Sequence, residues 1–318
     1  MVHLERYRDI VPDFESFVEA IHRPLPVTVR INTLKTDRDD LLRRLSEEGV
    51  RYRFVYWNPL CLRIDLEKPG NLIECLMGYL HVQEEISMVS AVVLDPRPGE
   101  SVLDLCAAPG SKTTQISQMM ENRGSVVANE PAVNRIPSLR SNCERLGAMN
   151  VAVTRYDGRL FPRHRFDRVL IDAPCTGQGM ARKDPSVLSR WCLKRSLGIQ
   201  RLQQSLLRRG VELTRPGGTI VYSTCTFAPE ENEAVVSTVL DRVWVETVSV
   251  PGLKNMPGLT RWDSDYGDEL EECARTGPLL TLRQEASSDY GDELEGCARY
   301  YPHQNDTGGF FVAKLIKK

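Results

Sequence analysis

The chain has 318 residues, of which 41% are apolar and 26% charged, and its formal net charge is −2. That is ordinary globular composition, enough for one sizeable core plus a smaller domain, and it argues against a disordered, fibrous or membrane-embedded chain. The N-terminus "MVHLERYRDI" is charged throughout, and apolar runs such as "ISMVSAVVL" are too short to span a bilayer, so a cytoplasmic protein with no membrane partner is expected.

In chain order, residues 1–75 predict a small α+β domain. "VTVRINTL" alternates as a strand, "DRDDLLRRLSEEGV" has helical spacing that ends near Gly49, and "RFVYW" and "CLRIDL" return to strand. Residues 76–100 read as a connecting segment that runs through Pro96, Pro98 and Gly99. From Ser101 to the end, at 318, strands and helices alternate. "SVLDLC" leads through a glycine turn to a helix, "SVVANE" precedes the amphipathic "NRIPSLRSNCERLG", and "VAVTRYD", "RVLIDAP" and "GTIVYSTC" are further short apolar strands. This alternation predicts an α/β domain with a doubly wound, mostly parallel sheet, and the late "GGFFVAKLIK" adds an antiparallel strand.

Charge is segregated along the chain. Residues 159–215 hold 13 Lys/Arg against 4 Asp/Glu, whereas residues 261–299 hold 4 against 11. The first stretch suits a polyanion-facing side; solvated helical faces are the plainer reading. The acidic stretch contains a near-repeat, "SDYGDELEECAR" from Ser264 and "SDYGDELEGCAR" from Ser288, which reads as a tandem duplication on a surface excursion. The nine cysteines include no C-x-x-C pair and none stands near a histidine at zinc-ligand spacing, so no metal is expected. Their thiols are either buried filler or chemically used.

Several motifs fall at the carboxyl ends of the predicted strands, where open α/β sheets bind ligands. "LDLCAAPGSKTT" makes a tight turn through Ala107, Ala108, Pro109 and Gly110, and its spacing fits neither a P-loop nor a dinucleotide fingerprint. Glu130, at the end of the next strand, stands where a ribose diol would be gripped, and Asp157 and Asp172 continue a row of acids; each alone could be a turn or cap residue. Cys175 in "VLIDAPCTGQGM" and Cys225 in "YSTCTFAPEENE" follow two further strands. A helix opened by Pro229 and Glu230 could favour a thiolate at Cys225.

Taken together, "VRINTLK", "DLCAAPGSKT", "DAPCTGQG", "YSTCT" with "PEENE", and "GGFFVAKL" resemble the Nop/Sun family of S-adenosylmethionine-dependent RNA cytosine-5 methyltransferases, in family order from Val29 to Leu315. The resemblance implies a Rossmann-like class I methyltransferase domain preceded by an RNA-recognition domain. It implies cofactor contacts from Cys106 through Lys112 and from Glu130, Arg135, Asp157 and Asp172, with S-adenosylhomocysteine as product. It also implies that Arg30 and Asn32 help to position RNA. Ser111 stands where the family usually has a second glycine, and Glu130 replaces the commoner Asp.

Cytosine C5 is too poor a nucleophile to take a methyl group until a thiolate adds to C6, so a reactive cysteine beside a carboxylate is required. Asp172 suits the base's N3 edge, and the target base must leave its stack. The basic segment that follows, with Arg182 and Lys183, would bind the RNA backbone. The Pro-Cys motif alone would select Cys175 as nucleophile; the Nop/Sun resemblance selects Cys225, with Cys175 helping to resolve the adduct. A monomer acting on tRNA is expected, with rRNA, a DNA cytosine methyltransferase or a catalytically silent RNA-binding assembly factor as alternatives.

Overall fold

The structure is a computed structural model and describes residues 2–263 and 287–318. A four-stranded antiparallel sheet comes first: β1 (Thr28–Ile31), β2 (Tyr52–Val55), β3 (Asn58–Ile64) and β4 (Leu80–Val82), in the order β2-β3-β1-β4. The helix Arg38–Glu47 starts at Asp37, whose carboxylate accepts from the Asp39 and Asp40 amides, and it packs Leu41 and Leu45 against this sheet.

The second sheet contains β5 (Ser101–Asp104), β6 (Ser125–Asn129), β7 (Val151–Thr154), β8 (Phe166–Asp172) and β9 (Thr214–Thr224), all parallel. Beyond β9 come β10 (Val243–Glu246), β11 (Met256–Pro257), the separate hairpin of β12 (Arg261–Asp263) and β13 (Ser287–Asp289), then β14 (Ala298–Tyr300) and β15 (Phe310–Lys317). The order is β11-β14-β15-β9-β8-β5-β6-β7, with β10 also on β15. As expected, β15 runs antiparallel to β9. Val169, Leu170 and Ile171 are buried on both faces of β8, as a central parallel strand requires. The 21-residue helix Leu193–Leu213 covers one face, and helices Val89–Leu94 and Ser111–Met119 cover the other.

Chain order reverses between β5 and β8, opening a crevice at their carboxyl ends, where Asp104 and Asp172 stand. The domain bounds differ from those expected at 1–75 and 76–100. The helix Phe14–His22 packs Phe14, Phe17 and Ile21 into the core of the large domain, whereas β4, beyond residue 75, completes the small sheet.

The excursion expected over 261–299 is corrected in its second half. Leu294, Cys297 and Ala298 of the second repeat copy are buried, and β14 lies in the main sheet. Arg299 forms a buried ion pair with Glu233. The first copy, 264–275, lies outside the described residues.

Candidate active site

After Asp104 the chain turns through Cys106 to Pro109, with a cis Ala108–Pro109 peptide, and enters the helix Ser111–Met119 at Gly110. Gly110 has φ +103°, a left-handed conformation that favours glycine, and a Cβ there would press on Leu139 at 3.0 Å. Asp104 is 1% exposed. Its Oδ2 accepts from Thr113 Oγ1 at 2.7 Å, and its Oδ1 is buried without a hydrogen-bond partner. An orphaned carboxylate oxygen at the switch point is a place for a cationic ligand group.

Glu130 is buried. Its Oε1 accepts from the Ala132 amide at 2.9 Å and its Oε2 pairs with Arg135 at 3.1 Å. Arg135 also donates to Ala108 O at 2.6 Å, so it ties Glu130 to the glycine turn. Asp157 caps the turn Gly158–Leu160 and is forked by Arg159, which holds its carboxyl below the usual range. Burial pushes the Cys106 thiol up, and the carboxylates of Asp104, Asp172 and Glu130 add to this, so it stays protonated. Its place is in the wall of the turn.

Asp172 ends β8. Its Oδ2 accepts from Lys112 Nζ at 2.8 Å and its Oδ1 from Ser223 Oγ at 2.9 Å. Burial works to lower the Lys112 pKa, but Asp172 overcomes it and the net shift is upward, which keeps the ammonium charged. Adjacent registers on β8 and β9 then bring the two cysteine loops together, and the Sγ atoms of Cys175 and Cys225 lie 3.3 Å apart. The loop after β8 is pressed against the start of β15. The Gly309 amide donates to Gly179 O at 2.9 Å, and a Cβ on Gly179 would meet Gly309 O at 2.2 Å. The Cys175 thiol is pushed well above its ordinary value by its hydrogen bond to Cys225, by burial and by the charge on Glu231. Cys175 is therefore a neutral thiol in contact with Cys225. The helix expected to open at Pro229 is a 3-10 turn, Pro229–Glu231, followed by one helical turn, Glu233–Val236, so no long helix dipole faces Cys225.

A family model described as 16S rRNA methyltransferase RsmB/F matches residues 91–316. The chain belongs to the RsmB/F methyltransferase family. A second model, the ferredoxin-like domain of RsmF/B-like methyltransferases, matches residues 4–71. The chain is 36% identical, over 99% of its length and 95% of the relative's, to a protein of Pyrococcus abyssi named tRNA (cytosine(49)-C(5))-methyltransferase. It is also 36% identical to Ribosomal RNA small subunit methyltransferase F of Salmonella typhi, over 99% of this chain but only 62% of that protein's length. A solved methyltransferase homologue from Pyrococcus horikoshii superposes with a TM-score of 0.78 at 33% identity, over 99% of this chain and 94% of that one.

In this RsmB/F chain the site gathers Cys175, Cys225, Asp172, Lys112 and the glycine turn, but not every residue expected there. Arg30, expected to position RNA, is 2% exposed and donates to Gln83 at 2.9 Å, to Thr114 at 2.9 Å and to Gln118, so its guanidinium is held by Gln83 and the helix Ser111–Met119. Asn32 is buried too, donating to Gly78 O and Leu146 O at 2.8 Å each. Arg182, expected to contact RNA, donates to the carbonyls of Arg23, Pro24 and Thr307 and to Asp306; Lys183, the next residue, is exposed. Ser111, the departure from the family pattern, meets His81 Nε2 at 2.9 Å. Arg145 can only donate to His81 Nδ1, so Nε2 carries the proton and donates to Ser111. Burial, with Arg30 and Arg145 nearby, lowers the His81 pKa to about 3 and keeps the ring neutral. The sequence reading missed Asp104 and Ser223 as individual site residues. Asp104's signal was present in "LDLC", an acid at a strand end, whereas Ser223 becomes visible only once β9 is paired with β8.

Proposed function

We propose that this chain transfers the methyl group of S-adenosylmethionine to C5 of a cytosine in RNA, with tRNA as substrate, through a covalent bond between Cys225 and C6. The observation that carries this reading is the 3.3 Å contact of two thiols beside the Asp172–Lys112 pair. When bound, S-adenosylmethionine supplies an electrophilic methyl group on a sulfonium. The residues present suit it: the unpartnered oxygen of Asp104 fits a cationic group, Glu130 and Asp157 lie at the ends of the next two strands, and the turn from Cys106 to Lys112 offers backbone at close range.

The protein's own groups divide the work. The Cys225 thiolate adds to C6 and pushes electrons to C5, which then attacks the methyl group. Asp172, aligned by Ser223 and Lys112, holds the N3 and amino edge of the base. The C5 proton then passes to a solvent water, its bonding pair re-forms the C5–C6 double bond, and the C6–S bond breaks with its electron pair returning to Cys225. The neutral Cys175 thiol supports that departure by hydrogen bonding to the leaving sulfur. Lys183 contributes to the backbone contact with the RNA.

The archaeal tRNA relative, matched over 95% of its length, supports tRNA; the bacterial relatives, of which the chain spans about three fifths, favour rRNA as the second reading. Bisulfite sequencing of cellular RNA with and without the gene tests the choice. A protected cytosine in tRNA that disappears with the gene supports it, and one found only in rRNA replaces it.

A further inference from the structure

Glu231 of the "PEENE" motif is fully buried, yet it has no cationic partner among the described residues and no role in the chemistry above. Its carboxylate instead collects four donors from three residues, one in the Cys175 loop and two on the helix Leu193–Leu213. Oε1 accepts from Thr176 Oγ1 at 2.5 Å and Ser196 Oγ at 2.8 Å. Oε2 accepts from the Thr176 amide at 2.9 Å and Gln203 Nε2 at 3.1 Å. Tyr222 fixes the backbone of the same residue by donating to Glu231 O at 2.6 Å. Thr176 follows Cys175 directly, and Gln203 also donates to Pro174 O at 2.9 Å, on the other side of that cysteine. Glu231 itself follows Cys225 by six residues.

A buried carboxylate with every lone-pair direction occupied by a neutral donor is a rigid fixture, and its removal would leave several donors unpaired at once. Two loops with separate origins in the sheet carry the two thiols. Besides the Gly179–Cys225 backbone bond, the contact between Thr176 and Thr226 and the bond that Thr226 donates to Gln178, this carboxylate ties the Cys175 loop to the segment behind Cys225, with two hydrogen bonds to Thr176.

We propose that Glu231 is a positioning residue for the methyl transfer: its carboxylate clamps the Cys175 loop to the segment after Cys225 and to the helix Leu193–Leu213, holding the two thiols in contact. The proposal rests on the two-thiol reading above. The groups that face Cys175 are Cys225, Glu231 and Tyr222, with Lys112 and Asp172 beyond Cys225. The negative charge of Glu231 also helps to keep Cys175 protonated, so the same residue that places the thiol preserves its form.

The test compares E231Q with T176V, which keeps the charge and removes one donor, in the full chain. Turnover, RNA KM, S-adenosylhomocysteine affinity by calorimetry and the pH profile of Cys175 alkylation in a C225S background are measured. An amide at 231 turns an N–H toward the donors, so kcat should fall roughly 100-fold, while RNA KM and cofactor affinity stay within about 2-fold and the alkylation profile moves to lower pH. T176V should lower kcat in the same direction by about 10-fold, and the double variant should add little to E231Q. Unchanged turnover in both, or loss of cofactor affinity in step with kcat, overturns the proposal. If E231Q does not fold, T176V decides alone on the same criteria. A wild-type protein that forms no adduct with RNA refutes the two-thiol reading itself, separately from these variants.

Discussion

Asp104 is buried at the end of β5, and burial raises its carboxyl to about 6; the Thr113 hydrogen bond opposes the rise and the charge of Asp172 adds to it. In the unfolded chain this group titrates at its ordinary lower value, so the folded state holds the extra proton between the two. Its contribution to stability is therefore complete below about pH 4 and is lost as pH climbs through about 6. Asp104→Asn should remove that loss. At pH 8 the ligand-free variant should be more stable than wild type by up to roughly 3 kcal/mol in denaturant titrations, should lose about half of that advantage at pH 5, and should bind S-adenosylhomocysteine more weakly at pH 8. A variant less stable than wild type at pH 8 would show the carboxylate to be structural. Lys183 and Arg182 make the same point about neighbours in sequence. Lys183→Ala should raise the KM for RNA and lower the salt dependence of binding by about one unit of slope with unchanged melting, whereas Arg182→Ala should melt early, because it leaves three carbonyls and Asp306 without their donor.

At the scale of elements, the order of strands and helices was legible because each central strand is a short apolar run bounded by turn chemistry, as in "RVLIDAP" and "GTIVYSTC". What the pattern hid was coverage. Arg30 stands in "TVRI", where a polar residue between apolar ones reads as facing water, yet all four residues are buried. The second face of β1 is covered by the helix Ser111–Met119, supplied more than 80 residues later through Thr114 and Gln118. Burial lowers the Arg30 pKa to about 9, so the guanidinium remains charged at neutral pH and depends on its neutral acceptors. Arg30→Ala should cost about 3 kcal/mol or more and weaken cofactor binding through that helix, with little change in the salt dependence of RNA binding. A selective loss of RNA affinity with intact melting would restore the RNA role expected for it.

Across the whole molecule, charge segregation misled where it concerned the acidic repeat. Composition marks 261–299 as acidic, but it cannot show that Cys297 of the second copy is buried and that Ala298 and Arg299 pair with β15, Arg299 also with Glu233. Arg299→Ala should destabilise the fold by about 3–5 kcal/mol, measured by denaturant titration, because it strands a fully buried carboxylate. The candidate site is equally a whole-molecule product: Cys175 and Cys225 are 50 residues apart in sequence and meet only because β8 and β9 pair in parallel register with both loops at the same edge. Motif alone pointed to Cys175. The structure adds that the two thiols touch, at 3.3 Å, so each can act on the other. The decisive measurement is adduct trapping, in which labelled RNA is incubated with cofactor and each single-cysteine variant and then resolved under denaturing conditions. Cys225→Ala should give neither adduct nor turnover, and Cys175→Ala should accumulate a covalent protein–RNA complex. The reverse pattern, an adduct in Cys225→Ala and none in Cys175→Ala, would contradict the assignment of Cys225 as the nucleophile.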